Sequence, residues 1–124
     1  MTHRTKHVRG NHVSCWIDED GCGVEFSRDG DTDDEYLLIQ RHFEEPDDGR
    51  PCIVTDDARF CGFFRNVLAT LDRDGFEISF GSRSVAVSFA VTDDTFETMA
   101  KAIRILIPKV QVAESRRRVT PTGG

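Results

Sequence analysis

The sequence offers no apolar run long enough to cross a bilayer. Its residues 103–107 are short and broken by Arg104, where a spanning helix takes about 20 apolar residues. The charged opening, Met1 to His7, has no apolar segment behind it that would mark a secretory leader. The expected location is therefore the cytoplasm, with no membrane partner. Catalytic signatures are missing too: there is no G-x-S-x-G, no phosphate-cradling glycine loop and no H-E-x-x-H. No catalytic residue and no cofactor is assigned, and an enzyme is not expected.

The four cysteines do not supply a metal site. Cys15 and Cys22 are separated by six residues, and Cys52 and Cys61 by eight; structural zinc pairs use spacings of about two to four. Each lies in or beside an apolar stretch, where a reduced thiol packs as a small hydrophobe. The run from Asp29 to Asp34 has acids where a calcium loop has them at first, but Asp34 stands where that loop needs glycine and Gln40 where it needs a bidentate Glu. A solvated acidic loop is the simpler reading. His3, His7 and His12 lie at the start of the chain. His42 stands near Glu44 and Glu45 with no nucleophile placed beside it by any motif.

What is present is acid. The chain has 124 residues with 22 Asp and Glu against 16 Lys and Arg, for a net charge of −6. The imbalance is uneven. Arg4, Lys6 and Arg9 make the opening basic and Arg116–Arg118 make the end basic, so residues 10–115 hold all 22 acids against the ten remaining bases. Such a body repels nucleic acid and draws basic proteins. Residues 1–11 and 111–124 are expected to be flexible basic segments flanking a single domain at 12–110.

Within that domain, period-two alternation marks strands at 12–17, 76–80 and 85–91, and shorter apolar runs mark others at 22–26, 36–43, 51–55 and 66–71. The turns between them carry Asp-Gly or similar pairs, as hairpins do. Residues 60–65 fit neither period, and Gly62 is a candidate bend. Phe96, Met99, Ala100, Ile103, Leu106 and Ile107 form one stripe of a helix over about 94–107, which Pro108 ends. Asp94 with Glu97 suggests its capping box, and Glu97 with Lys101 an i,i+4 ion pair. The expected fold class is α+β: a mainly antiparallel sheet of six to seven strands with one C-terminal amphipathic helix on the face bearing Val85, Val87 and Phe89.

Nine Phe, one Trp and one Tyr exceed what a single helix on one sheet requires. Trp16 falls opposite Val13, Cys15 and Ile17, and Phe60 and Phe63 cluster at the unassigned bend. A partner surface is expected where these aromatics meet acids, namely Trp16, Phe60 and Phe63 with Glu44, Glu45, Asp47, Asp48, Asp56 and Asp57.

The run Glu35 to Arg41, the acidic loop after it, the short strand Cys52-Ile-Val-Thr-Asp-Asp57 and the Cys61-Gly62 bend come first. The hairpin over 68–80, the strand over 85–91 and the helix ending Ile103-Arg-Ile-Leu106 follow in order. This series resembles the Immunity protein 10 family of bacterial polymorphic toxin systems, over roughly residues 12–107. The resemblance implies a non-enzymatic inhibitor that binds a cognate toxin domain, with the acidic surface matching a basic toxin cleft. The alternatives are a general interaction or regulatory module, and a small hydrolase built around His42 and a carboxylate.

Overall fold

The structure is a computed structural model and describes residues 4–29, 35–43, 51–64 and 66–113. Its strands fall into two five-stranded sheets, not one sheet of six or seven. The first contains β1 (Arg4–Arg9), β9 (Arg83–Ser88), β8 (Gly75–Phe80), β7 (Val67–Asp72) and β10 (Gln111–Ala113), in that spatial order. The second contains β2 (His12–Ile17), β3 (Gly21–Ser27), β4 (Tyr36–His42), β5 (Cys52–Thr55) and β6 (Gly62–Phe63), in chain order. Every pairing is antiparallel except β1 with β9 and β10 with β7. The α+β class and the antiparallel character hold; the single sheet does not.

The alternation that marked the strands is the alternation of burial. In β8, Phe76, Ile78 and Phe80 point inward while Glu77 and Ser79 do not. In β3 and β4, Val24, Phe26, Leu37 and Ile39 point inward and are fully buried. The two inner faces meet through aromatic rings: Phe26 stacks on Phe76 at 5.7 Å and on Phe89 at 6.0 Å between centroids.

Both ends expected to be flexible contribute strands. Residues 4–9 pair in parallel with β9, so Val8 is buried against the core, and residues 111–113 pair with β7. The chain passes from β1 to β2 through Gly10, whose N–H donates to the Ser88 carbonyl at 2.7 Å, and Asn11, whose side chain accepts from Ala90 N–H at 2.9 Å. One continuous stretch thus forms an edge of each sheet. Residues 114–124 lie outside the described residues, as do Glu44, Glu45, Asp47 and Asp48.

Helix α1 (Asp93–Leu106) buries Phe96, Met99, Ala100, Ile103 and Leu106 of the stripe read from the sequence, together with Ala102, and Ile107 is buried just past its end. Its N-cap is Thr92, not Asp94: the Thr92 hydroxyl accepts from Thr95 N–H at 3.2 Å. Glu97 and Lys101 are not within ion-pair distance. The helix lies against β2, β3 and β4 of the second sheet, not against the Val85–Val87 face of β9. The reason is local. Phe89 stacks on Phe26 and carries the chain across to the second sheet before the helix begins. Arg73 holds the N-terminal end, donating to Asp93 at 2.6 Å and to the Val91 carbonyl at 2.9 Å. Arg41 of β4 caps the other end through the Ile105 carbonyl at 3.1 Å. Among the described residues, no helix is long and apolar enough to cross a membrane.

Candidate functional site

The second sheet is covered on its inner face by α1 and the first sheet; its outer face is the candidate site. Because directly paired residues share a face, the register assigns that surface without ambiguity. Trp16, Gly23, Gln40, Cys52 and Phe63 form one row across all five strands. Ser14, Glu25, Leu38 and Val54 form the next, and His12, Ser27 and Tyr36 the third. At about 4.8 Å between strands, Trp16 and Phe63 stand roughly 19 Å apart at opposite margins.

Trp16 is 40% exposed and Phe63 65% exposed; Leu38, Val54, Cys52 and Tyr36 between them are half-buried. The indole reaches inward from the edge because Gly23 leaves it room. A Cβ on Gly23 would lie 2.1 Å from Trp16 Cζ2 and 2.3 Å from Cη2. The ring therefore lies across the β3 backbone, packed on one side and open on the other. Among the described residues no helix or strand packs on this face.

Among the described residues, the acids beside Trp16 are those of the β2–β3 turn. Asp18, Glu19 and Asp20, all exposed, form the β2–β3 turn directly after Trp16. Asp18 Oδ1 folds that turn by accepting from Asp20 N–H at 2.8 Å and Gly21 N–H at 3.0 Å. Asp18 and Asp20 line a small cleft with Trp16, Gln40, Arg41 and His42. Glu25 adds a carboxylate in the middle of the face.

Asp56 and Asp57, expected at the rim, have partners inside the chain. Asp56 binds the Lys6 ammonium at 2.8 Å and accepts from Tyr36 N–H at 3.2 Å, joining the first strand to the second sheet. Partial burial pushes its carboxyl up, but the Lys6 and Tyr36 hydrogen bonds outweigh this and hold it below the ordinary range. Asp57 caps the single 3-10 turn at Ala58–Phe60 and is gripped by the Arg59 side chain at 2.8 and 3.1 Å, which with the Arg59 N–H holds its carboxyl at about 2. Phe60, taken for an anchor, is only 4% exposed and belongs to the core. Burial follows from the 3-10 turn, which aims this ring inward, whereas Gly62 (φ +146°) lets the chain turn so that Phe63 faces out.

Of the expected partner residues, the structure brings Trp16 and Phe63 to one face, buries Phe60, and pairs Asp56 with Lys6 and Asp57 with Arg59; Glu44, Glu45, Asp47 and Asp48 lie outside the described residues. Sequence reasoning missed Leu38, Val54 and the turn acids. A signal existed for them: Leu38 alternates with the buried Leu37 and Ile39, and Asp18–Asp20 follow Trp16 directly.

The hydrolase alternative centres on the cleft at His42. Its volume is about 110 Å³, below the roughly 300–1,000 Å³ of small-molecule sites. The Cys22 thiol donates to the Ala102 carbonyl at 3.5 Å, on the core side of the sheet, and burial pushes its pKa up, so it does not serve as a nucleophile there. Among the described residues, no group of three or more His, Cys, Asp and Glu is placed to hold a metal ion. No protein-family model matches the chain, and no curated protein matches it.

Proposed function

We propose that this chain is a non-enzymatic binding protein that engages a basic protein partner through the outer face of its second sheet. In the specific form suggested by the resemblance to the Immunity protein 10 family, the partner is a toxin domain and binding neutralises it. The observation that carries the reading is the row from Trp16 to Phe63, on which no helix or strand packs among the described residues, with Leu38 and Val54 beside it. An aromatic at each margin, with Leu38 and Val54 set among Gln40, Glu25 and Ser14, gives the mixed apolar and polar composition of a protein interface. The acidic body adds long-range attraction for a basic partner, which raises the association rate and makes it salt-dependent.

The test begins with whether an adjacent gene encodes a large secreted protein with a variable C-terminal domain; binding to that domain is then measured by titration calorimetry and by survival of cells producing it. Wild-type protein should bind and protect. Leu38→Asp, which puts a charge in the middle of the face, should fold normally and do neither. Equal binding by wild type and Leu38→Asp would move the interface elsewhere. Absence of binding to the neighbour's domain would remove the toxin reading.

A further inference from the structure

The open edge of the second sheet carries a different surface. In the described structure β2 is an edge strand, and its hairpin is closed by Asp18 N–H donating to the Gly21 carbonyl at 2.9 Å. Hydrogen-bonded pairs then recur at every second position, at Trp16 with Gly23 and Ser14 with Glu25. The backbone N–H and C=O groups of Val13, Cys15 and Ile17 therefore point away from β3, toward the free edge. No charged gatekeeper blocks it. The first sheet's edge strand β1 carries Arg4, Lys6 and Arg9, whereas β2, His12–Ile17, has neither Lys nor Pro.

A groove of about 520 Å³ runs along this edge, with Cys15, Trp16 and Ile17 on the strand side and Asp94, Glu97 and Lys101 on the helix side. The helix runs in the same direction as β2. Its start follows Phe89, which stacks on Phe26 opposite Val13, and its Ala102 carbonyl meets Cys22 opposite Ile17. Asp94, Glu97 and Lys101 are exposed and form no ion pair among the described residues.

We propose that β2 is the pairing edge for a second copy of this chain, the two strands running antiparallel about a twofold axis at Cys15. That register sets Val13 of each copy against Ile17 of the other, covering a side chain that is 43% exposed in the single chain. It joins the two second sheets into one continuous sheet. The helix lies over β2 and β3 alike, so strands about 4.8 Å apart put the two helices roughly 9–10 Å apart, the distance at which helices pack. The same axis makes the helices antiparallel. Asp94 of each copy then faces Lys101 of the other, twice over, with Glu97 set against Thr98. A strand from an unrelated protein would satisfy the edge backbone equally well, but the order acid, acid, threonine, base along the helix complements itself only under a twofold. This assembly goes beyond the proposed function and stands without it, since its pairing uses the edge and inner flank of β2; of the outer face only Trp16 borders the groove.

Sedimentation velocity of the full chain over a range of concentrations tests it. Wild type should show a monomer–dimer equilibrium. Asp94→Lys or Lys101→Glu alone should raise the dimer Kd by about tenfold, since each turns two attractive pairs into two repulsive ones. The double variant D94K/K101E should return most of the affinity, because the swapped charges meet again across the axis. Ile17→Lys, at a position exposed in the single chain, should give a folded monomer by circular dichroism. A wild-type monomer at every concentration would overturn the proposal. So would a dimer indifferent to Ile17→Lys, or a double variant no tighter than the two single ones.

Discussion

The two sheets share an alternating pattern and a common core, yet their outer faces differ. On the first sheet the outward positions are Thr70 and Leu68 of β7, Glu77 and Ser79 of β8, Ser84 and Ala86 of β9, and Thr5 and His7 of β1. All but Leu68 and Ala86 are polar, and the Thr5 and Ser84 hydroxyls lie 3.1 Å apart in a hydrogen bond. On the second sheet the corresponding positions hold Trp16, Leu38, Val54, Cys52, Tyr36 and Phe63, interspersed with Gly23, Gln40, Ser14, Glu25, His12 and Ser27. Polar outer residues on a strand are enough to make a solvated surface. Large apolar ones stabilise the free protein little when left in water, and the outer face of the second sheet carries more of them than that of the first, where Leu68 stands alone.

The largest expected effect tests whether the sheets are one unit. Phe26 joins them through Phe76 and Phe89, so Phe26→Ala should cost about 3–5 kcal/mol, read by urea denaturation as one cooperative transition moved to lower urea. Two separate transitions would mean that the sheets unfold independently.

Phe63→Ala sharpens it. With the ring 65% exposed, stability should change by less than about 1 kcal/mol, while affinity for the partner falls by about 2 kcal/mol or more, roughly 30-fold. Thr70→Ala on the first sheet should leave both unchanged. Equal losses of affinity from the two variants would place the interface on neither face alone.

Gly23→Ala probes the indole platform. The added methyl occupies space held by the Trp16 ring, so the ring must lift, at a cost of about 1–3 kcal/mol. Tryptophan fluorescence, from a single Trp, should shift to longer wavelength. An unshifted spectrum would mean the ring does not rest on Gly23.

The smallest effect concerns Asp56 and Asp57, which have ion-pair partners inside the chain. Asp56→Asn should cost about 1 kcal/mol at pH 7, since Lys6 loses its carboxylate. Both Asp56 and Asp57 titrate below the ordinary carboxylate range near 3.9. A depressed folded pKa adds stability above the unfolded value and loses it as pH falls through the folded one. The gap between wild type and Asp56→Asn, followed by thermal melts, should therefore be constant above about pH 5 and close as pH falls below 4. A gap that persists at pH 2 would show that packing, and not charge, is what the substitution removes.

Much of the local structure was legible. Hydrophobic period marked β2 as His12–Ile17 and placed the helix within a residue of Asp93–Leu106, because alternation and the helical stripe are properties of neighbouring residues. Trp16 and Phe63 could be picked out as surplus aromatics for the same reason. The Phe60–Phe64 stretch resisted because a 3-10 turn and a two-residue strand are too short to show a period.

Local pattern along the chain is enough to say which side chains share a face of each strand, which residues form the helix and how unevenly charge is distributed. Only the tertiary structure decided that there are two sheets, that residues 4–9 close the first of them beside a strand some 79 positions later, and that the helix lies on the second. It also decided that Asp56 serves Lys6 fifty residues away while Asp18–Asp20 stand by the aromatics. The physical reason is separation along the chain. Period and turn chemistry act between residues a few positions apart, whereas strand pairing and ion-pair choice depend on which distant surfaces bury the most apolar area together. An alternating strand satisfies that requirement equally well in several sheets until the whole core is assembled.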